Sequence, residues 1–288
     1  MSQDPRPGIS VFFPAYNDGG TIASMVIVTL QTLRQLADDF EVIVIHNGST
    51  DYSPEVLSEL ERLYPNELRV IDYPHPLGYG GALRVGFASC TKDLIFYTDG
   101  DAQYDPRELA NLLAALTPGV DMVNGYKIVR SDPLHRIIIG RAYHWGVKLL
   151  FGLRLKDVDC DFRLMRRTVI DRISLKSNTG VICVELMKKV QDAGFKVAQI
   201  PVHHYHRAYG GSQFFNIPRI YRSLHGLLGL WIELVLWRRL GRPAAGHAQP
   251  AALGLPETMA PPPRHPLPTL SHQGRGDSFT SSEPAEGP

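Results

Sequence analysis

Cysteine is scarce in this chain: Cys90, Cys160 and Cys183 are the only three in 288 residues, and no two form a CxxC pair. That spacing argues against a disulfide framework and against a thiolate zinc site, and it suits a reducing compartment. Long apolar runs are missing too. The longest, LLGLWIELVLW at 227–237, is too short to span a bilayer and carries Glu233. Charge of one sign is also lacking: 30 Lys and Arg against 29 Asp and Glu leave a net charge of +1, so no nucleic-acid partner is expected. The opening MSQDPRPGIS has no basic segment followed by an apolar one, so no signal peptide is read and the chain is expected to be cytoplasmic.

What is present divides unevenly. Ten of the 22 prolines fall in the last 46 residues, among few large apolar groups. Such a segment buries too little surface to offset its ordering entropy, so 243–288 is expected to be a disordered tail. Upstream, apolar runs at 9–14, 40–46, 68–73, 93–98 and 120–126 read as buried strands. Helical patterns at 21–37, 54–64, 79–90 and 106–116 lie between them, opened by Thr21, Ser53-Pro54 and Asp105-Pro106. This alternation implies an α/β fold, a mostly parallel sheet with helices on both faces, and ligands outside the carboxyl ends of its strands. Residues 133–240 break the pattern, with helices near 134–151 and 182–193, strands near 157–165 and 195–202, and a long helix at 217–240. This half is expected to complete the site within one domain.

No GxGxxG follows the first strand, which runs instead into PAYNDGG (14–20), so a nicotinamide enzyme is not expected. The GYGGAL turn at 78–83 can either approach a phosphate or pack a helix tightly. Three strand ends carry polar groups: PAYND, IHNGSTD and TDGD. The last places Asp99 and Asp101 two residues apart around Gly100, an arrangement that can present oxygens to one divalent cation or simply form a solvated acidic turn.

Taken in order, FFPAYND, VIVIHNGSTD, GYGGALRVGF, FYTDGDAQYDPREL, DVDCDFRLMRR (157–167) and GFKVAQIPVHHYHRAYGGSQF (194–214) resemble glycosyltransferase family 2, in particular its dolichyl-phosphate mannose synthase-like branch. The resemblance implies a GT-A fold over 8–215, with a nucleotide-sugar half at 8–127 and an acceptor half at 128–215. Flanking these are a flexible 1–7, an amphipathic helix at 216–242 and the tail. It implies that Pro14, Ala15, Tyr16, Asp18, Asn47, Asp51 and Gly80 line the nucleotide-sugar pocket. Asp99, Gly100, Asp101 and Gln103 would lie at the diphosphate, with Asp99 and Asp101 holding Mg²⁺ or Mn²⁺. Lys127, Arg136, Glu185 and Arg207 are implied on the acceptor or phosphate side. His46 and Asn47 stand where the family pattern has two aspartates, which leaves the nucleotide base open.

Where the lipid-phosphate branch carries Thr-Gly-Ser, this chain has Asp159, Cys160 and Asp161. Those carboxylates would repel a phosphate unless they bind metal or pair with Arg163, Arg166 or Arg136, and either would serve as a base toward a hydroxyl. Glu185 can alternatively be a buried carboxylate bonded to Arg163. In VHHYH (202–206), a strand would put His204 and His206 on one face without a third ligand, so no zinc site is read. Around the 217–240 helix, leucines and tryptophans form a wide apolar stripe that leaves His225, Gly226, Gly229 and Glu233 as the polar sector, flanked by arginines. Such a helix suits a membrane interface, the domain core or a second copy in a homo-oligomer. The reading is therefore a metal-dependent transferase moving a hexose from a nucleotide sugar to a polyprenyl phosphate at the membrane. A hydroxyl acceptor or a non-catalytic nucleotide-sugar-binding protein are the alternatives.

Overall fold

Strand β1, Ile9–Ala15, is buried along its whole length, and its side chains alternate between two layers of helices. Both faces are covered, which is why ISVFFPA shows so little polar alternation. The computed structural model describes residues 6–128, 134–210 and 217–240, apart from the side chains of 134–139, 141–142 and 217–220. The Pro-rich tail, residues 1–5 and the side chain of Arg136 lie outside those residues.

After β1 come α1 (Ile22–Leu36), β2 (Phe40–Asn47), α2 (Ser53–Leu63), β3 (Leu68–Tyr73), α3 (Tyr79–Ser89), β4 (Leu94–Thr98), α4 (Leu109–Ala115) and β5 (Met122–Lys127). This is the expected alternation, with small shifts at the ends. The helix expected from 106 starts as a 3₁₀ turn, Pro106–Glu108, capped by the Asp105 carboxylate, which accepts the Arg107 N–H at 3.0 Å. Thr21 does not cap α1; its hydroxyl donates to the Gly100 carbonyl at 2.9 Å, tying the helix to the DGD turn.

The second half adds α5 (Leu134–Phe151), β6 (Phe162–Arg166), α6 (Arg167–Asp171), α7 (Ile182–Asp192), β7 (Val197–Val202) and α8 (Ile217–Trp231). The last of these widens into a π-turn at Ile232–Leu236 and ends in α9 (Trp237–Arg239). One seven-stranded sheet results, in the order β3-β2-β1-β4-β6-β5-β7. β6 alone runs antiparallel, between β4 and β5, while β7 pairs parallel with β5. The strand expected from 157 is corrected here: 157–161 is a loop, because the Asp157 carboxylate accepts the Asp159 N–H at 3.0 Å and turns the chain. The HHYH stretch likewise lies beyond the end of β7, and His203 bonds Glu108 at 3.0 Å.

Helices α3, α5 and α7 pack on one face of the sheet and α1, α2 and α4 on the other. Gly86 of α3 shows how close that packing is, since a Cβ there would sit 2.2 Å from the Phe12 ring. α8 packs unlike its wheel. Gly226 approaches Val181, Glu233 pairs with Lys176 at 2.9 Å, and Leu230, Leu234 and Val235 are buried. Part of the polar sector therefore lies against the domain, leaving Tyr221, Leu224 and Leu228 exposed.

Candidate active site

The topology explains which residues meet. In a parallel sheet the carboxyl ends of β2, β1, β4, β5 and β7 share one edge, with the order reversing between β1 and β4. Antiparallel β6 contributes its start to that edge instead: Thr98 pairs with Phe162, which brings Asp99 beside Asp161. Lys127 pairs with Val202, so the 203–210 segment leaves β7 at the same edge.

Loops after β1 and β2 are sewn together. Asn17, at the strained φ of 57°, accepts the Thr50 N–H on its side-chain oxygen at 2.7 Å, and its own N–H bonds Ser49. Asp51 accepts N–H groups of Gly19 and Ser53, both at 3.0 Å. Burial raises its pKa, but these bonds and the Ser53 hydroxyl outweigh that and hold it below the usual range. Asn47 accepts the Leu77 N–H at 2.7 Å, and His46 accepts the Ser49 N–H on Nε2, which leaves Nδ1–H for Asp72. Asn47 and Asp51 thus act through the loops they fix. Gly80, implied at the nucleotide, has a packing cause: a Cβ would lie 2.3 Å from the Ser177 carbonyl, and its N–H bonds Asn178.

Asp18 is buried, with its carboxylate on the Tyr16 N–H at 3.0 Å. Burial pushes its pKa up to about 7; the Tyr16 bond opposes this and the nearby Asp101 charge adds to it. Gly100 lies against Ile22 and Asp18, and Pro14 and Ala15 close the end of β1. Asp99 accepts the Tyr79 hydroxyl at 2.9 Å; burial, then Asp161 and Asp101, raise its pKa well above the carboxylate range. Asp101, also raised by burial, accepts the Arg207 guanidinium and the Gln103 N–H at 3.0 Å. Ala102 follows at a φ of 58°, a left-handed conformation rare without glycine. Gln103 clasps the 203–210 segment: its side chain donates to the Tyr205 carbonyl at 3.1 Å, and its carbonyl accepts the Tyr205 N–H at 2.8 Å. Tyr209 then lies over Gly20 and Tyr52.

At the start of β6, Arg163 is fully buried and donates to Tyr97, Asn124, the Val158 carbonyl and Asp161, the last at 3.1 Å. Asp161 is thereby paired, while Asp159 is pushed up to about 6 by burial, against the pull of Lys127. Lys127 donates to the Asp159 carbonyl at 3.0 Å; burial lowers its pKa, but Asp157, Cys160 and Asp159 raise it further, so its ammonium stays charged. Glu185 is brought elsewhere. It is buried and accepts the N–H groups of Lys176 and Ser177, both at 2.9 Å, and the Lys189 ammonium, so its partner is not Arg163 and it acts as a loop anchor.

Residues 10–174, more than half of the chain, match the model of glycosyl transferase family 2. The chain belongs to that family. Within it, glycosyltransferase AglD of Haloferax volcanii is 34% identical over 205 residues, covering 67% of this chain but 32% of that protein. Undecaprenyl-phosphate 4-deoxy-4-formamido-L-arabinose transferase of Pseudomonas fluorescens is 25% identical, covering 74% of this chain and 62% of its own length. The chain therefore spans about a third to three fifths of these relatives. In structure it resembles glucosyl-3-phosphoglycerate synthase of Mycobacterium tuberculosis at a TM-score of 0.60 and 18% identity, over 86% of this chain and 88% of that one. A second structure of that enzyme, holding Mn²⁺, UDP and glucosyl-3-phosphoglycerate, matches at a TM-score of 0.56 and 18% identity over 83% and 82% of the two chains. These likenesses bear on the fold, a GT-A sheet.

The family's divalent cation fits the residues present. Asp99 and Asp101 crowd Asp18 and Asp161, and Asp101 already holds one cationic group, Arg207. When bound, the ion would stabilise negative charge developing on the leaving diphosphate. Several residues that meet at this edge carry no obvious sequence signal. Tyr79 was hidden in the glycine turn, and Asn17 and Tyr209 sat in motifs legible only as loops.

Proposed function

We propose that the chain is a metal-dependent, inverting glycosyltransferase that moves a hexose from a nucleotide sugar, of the GDP-mannose or UDP-glucose type, to a polyprenyl or dolichyl phosphate at the cytoplasmic membrane face. The observation that carries this reading is the meeting of Asp99 and Asp101 with Arg207 and Lys127 at one sheet edge. Asp99 and Asp101 would hold Mg²⁺ or Mn²⁺ on the diphosphate, Asp18 and the fixed β1 and β2 loops would frame the nucleotide, and Arg207 and Lys127 would receive phosphate oxygens. A lipid phosphate is already largely ionised near neutrality, its second pKa being about 6, so the acceptor needs cations to position it more than a base. Inversion rests on family likeness.

The surface supports a lipid acceptor. Trp145, Leu149 and Leu150 of α5 are exposed, as are Tyr221, Leu224 and Leu228 of α8, and the Trp231 indole donates to the Leu150 carbonyl at 2.9 Å, joining the two helices. Lys148 lies over the Trp145 ring at 5.2 Å. Exposed aromatics and leucines beside basic groups suit peripheral contact with an anionic bilayer. Among the described residues no helix is long and apolar enough to cross a membrane. The test is incubation of purified chain with radiolabelled nucleotide sugars, Mn²⁺ and polyprenyl phosphate. Label should enter the organic phase with one donor; none with any donor would sink the lipid-acceptor reading.

A hydroxyl acceptor is the second reading, favoured by Asp159, whose pKa of about 6 suits a general base. It requires that D159N or D161N abolish transfer while nucleotide binding persists, and intact turnover in both would refute it.

A further inference from the structure

Helix α5 and the loop after it gather metal-ligating groups apart from Asp99 and Asp101. A ring nitrogen of His144 and carboxylate oxygens of Asp157 and Asp159 all lie within 4.8 Å of one another. Donors on opposite sides of one cation stand about 4.2–4.6 Å apart when each bond is about 2.1–2.3 Å, so small side-chain adjustments would close this set around an ion. We propose that His144, Asp157 and Asp159 form a second divalent-cation site on the acceptor side of the sheet edge, suited to an ion of the Mn²⁺ kind.

The ligands are held in advance. Asp157 is buried; its carboxylate accepts the N–H groups of Asp159 at 3.0 Å and Lys127 at 3.4 Å, and the Asn124 amide holds its carbonyl at 2.9 Å. These bonds fix the orientation of the Asp157 carboxylate and backbone before any ion arrives. An imidazole nitrogen with two carboxylate oxygens suits a transition ion better than the all-oxygen shell that Ca²⁺ prefers. Charge points the same way. Beside His144, the carboxylates of Asp157, Asp159 and Asp161 face the cations Lys127 and Arg163. One ion on Asp99 and Asp101 would leave the acceptor side negative, where an incoming phosphate is least welcome.

A cation at His144 would reverse that local field beside Lys127, whose charge acts on both Asp101 and Asp159. This role in receiving a phosphate rests on the lipid-acceptor reading; the binding of the ion does not. An Asp159 engaged as a ligand is no longer a free base, which shifts that duty in the hydroxyl reading to Asp161.

Mn²⁺ titration of the chelator-treated full chain, followed by electron paramagnetic resonance, counts the sites, and anomalous diffraction from Mn²⁺-soaked crystals locates them. Two ions per chain are expected, falling to one in H144A and in D159N, with the His144 peak retained in D101N. D159N carries the test if H144A does not fold, and the anomalous peak needs no variant. A single ion at Asp101, or two ions retained in both D159N and a folded H144A, would overturn the proposal. A chain that binds both ions yet glycosylates no acceptor would instead overturn the functional reading alone.

Discussion

Replacing Asp18 by Asn should make the metal-free protein more stable, by a margin that grows from about pH 4 to about pH 7 and then levels off. The fold raises the Asp18 pKa from 3.8 to about 7, first through burial and then through the Asp101 charge. The native state thus keeps a proton that the unfolded chain has released. Its contribution is fully present below the unfolded value and is lost as pH rises through the folded one. At about 1.4 kcal/mol per pKa unit, the ionised form at pH 8 is disfavoured by up to about 4 kcal/mol, and relaxation or water entry would bring that nearer to about 2. Asn keeps the shape and can still accept the Tyr16 N–H that now bonds the Asp18 carboxylate. Urea unfolding of both proteins in EDTA should therefore show D18N more stable by about 2–4 kcal/mol at pH 8, with the gap nearly gone by about pH 4. Adding Mn²⁺ should narrow it, because only the carboxylate gains from a nearby cation. A D18N protein no more stable than wild type at pH 8 would refute the claim that this edge holds charge at the expense of stability.

Other outcomes follow from named contacts. G86A should cost about 1–3 kcal/mol, read as a lower urea midpoint at unchanged slope, since its Cβ would meet the Phe12 ring at 2.2 Å. R163M should cost about 3–5 kcal/mol in the same assay, because it strands Asp161 and leaves Asn124 and the Val158 carbonyl without their donor. L224E combined with L228E should abolish co-sedimentation with anionic liposomes while leaving the urea midpoint within about 0.5 kcal/mol, both residues being exposed.

The parallel half of the fold was legible because buried parallel strands need continuous apolar runs, and ISVFFP or EVIVIH admit few other readings. The acidic pair was legible for a related reason: a carboxylate at the end of such a run has only the sheet edge to occupy. Contacts set by long-range register were not. Nothing local in DVDCDFRL says that Phe162 will pair antiparallel with Thr98, yet that pairing brings Asp161 to Asp99. The GYGGAL turn allowed phosphate approach or tight packing alike, because the segment at 177–179 that lies against Gly80 is far along the chain. The wheel of α8 gave amphipathicity but not which sector would meet the domain, and Gly226 against Val181 decided that through close approach. Glu185 was misplaced because a helical carboxylate reads alike whether it reaches a ligand or two backbone N–H groups.

The reversed direction of β6 has a consequence for how the molecule assembles. β1 to β4 all lie before residue 99 and can pair once that stretch is made, but β4 receives its other partner only when residues 162–166 arrive, and β5 joins the sheet through that same strand. During synthesis the first four strands would stand with the open edge of β4 exposed until β6 emerges and inserts. Closure of so distant a pairing is slow relative to local contacts. The strand that completes the sheet is also the one that carries Arg163 and brings Asp161 beside Asp99, so a chain that has not yet inserted β6 lacks that side of the edge.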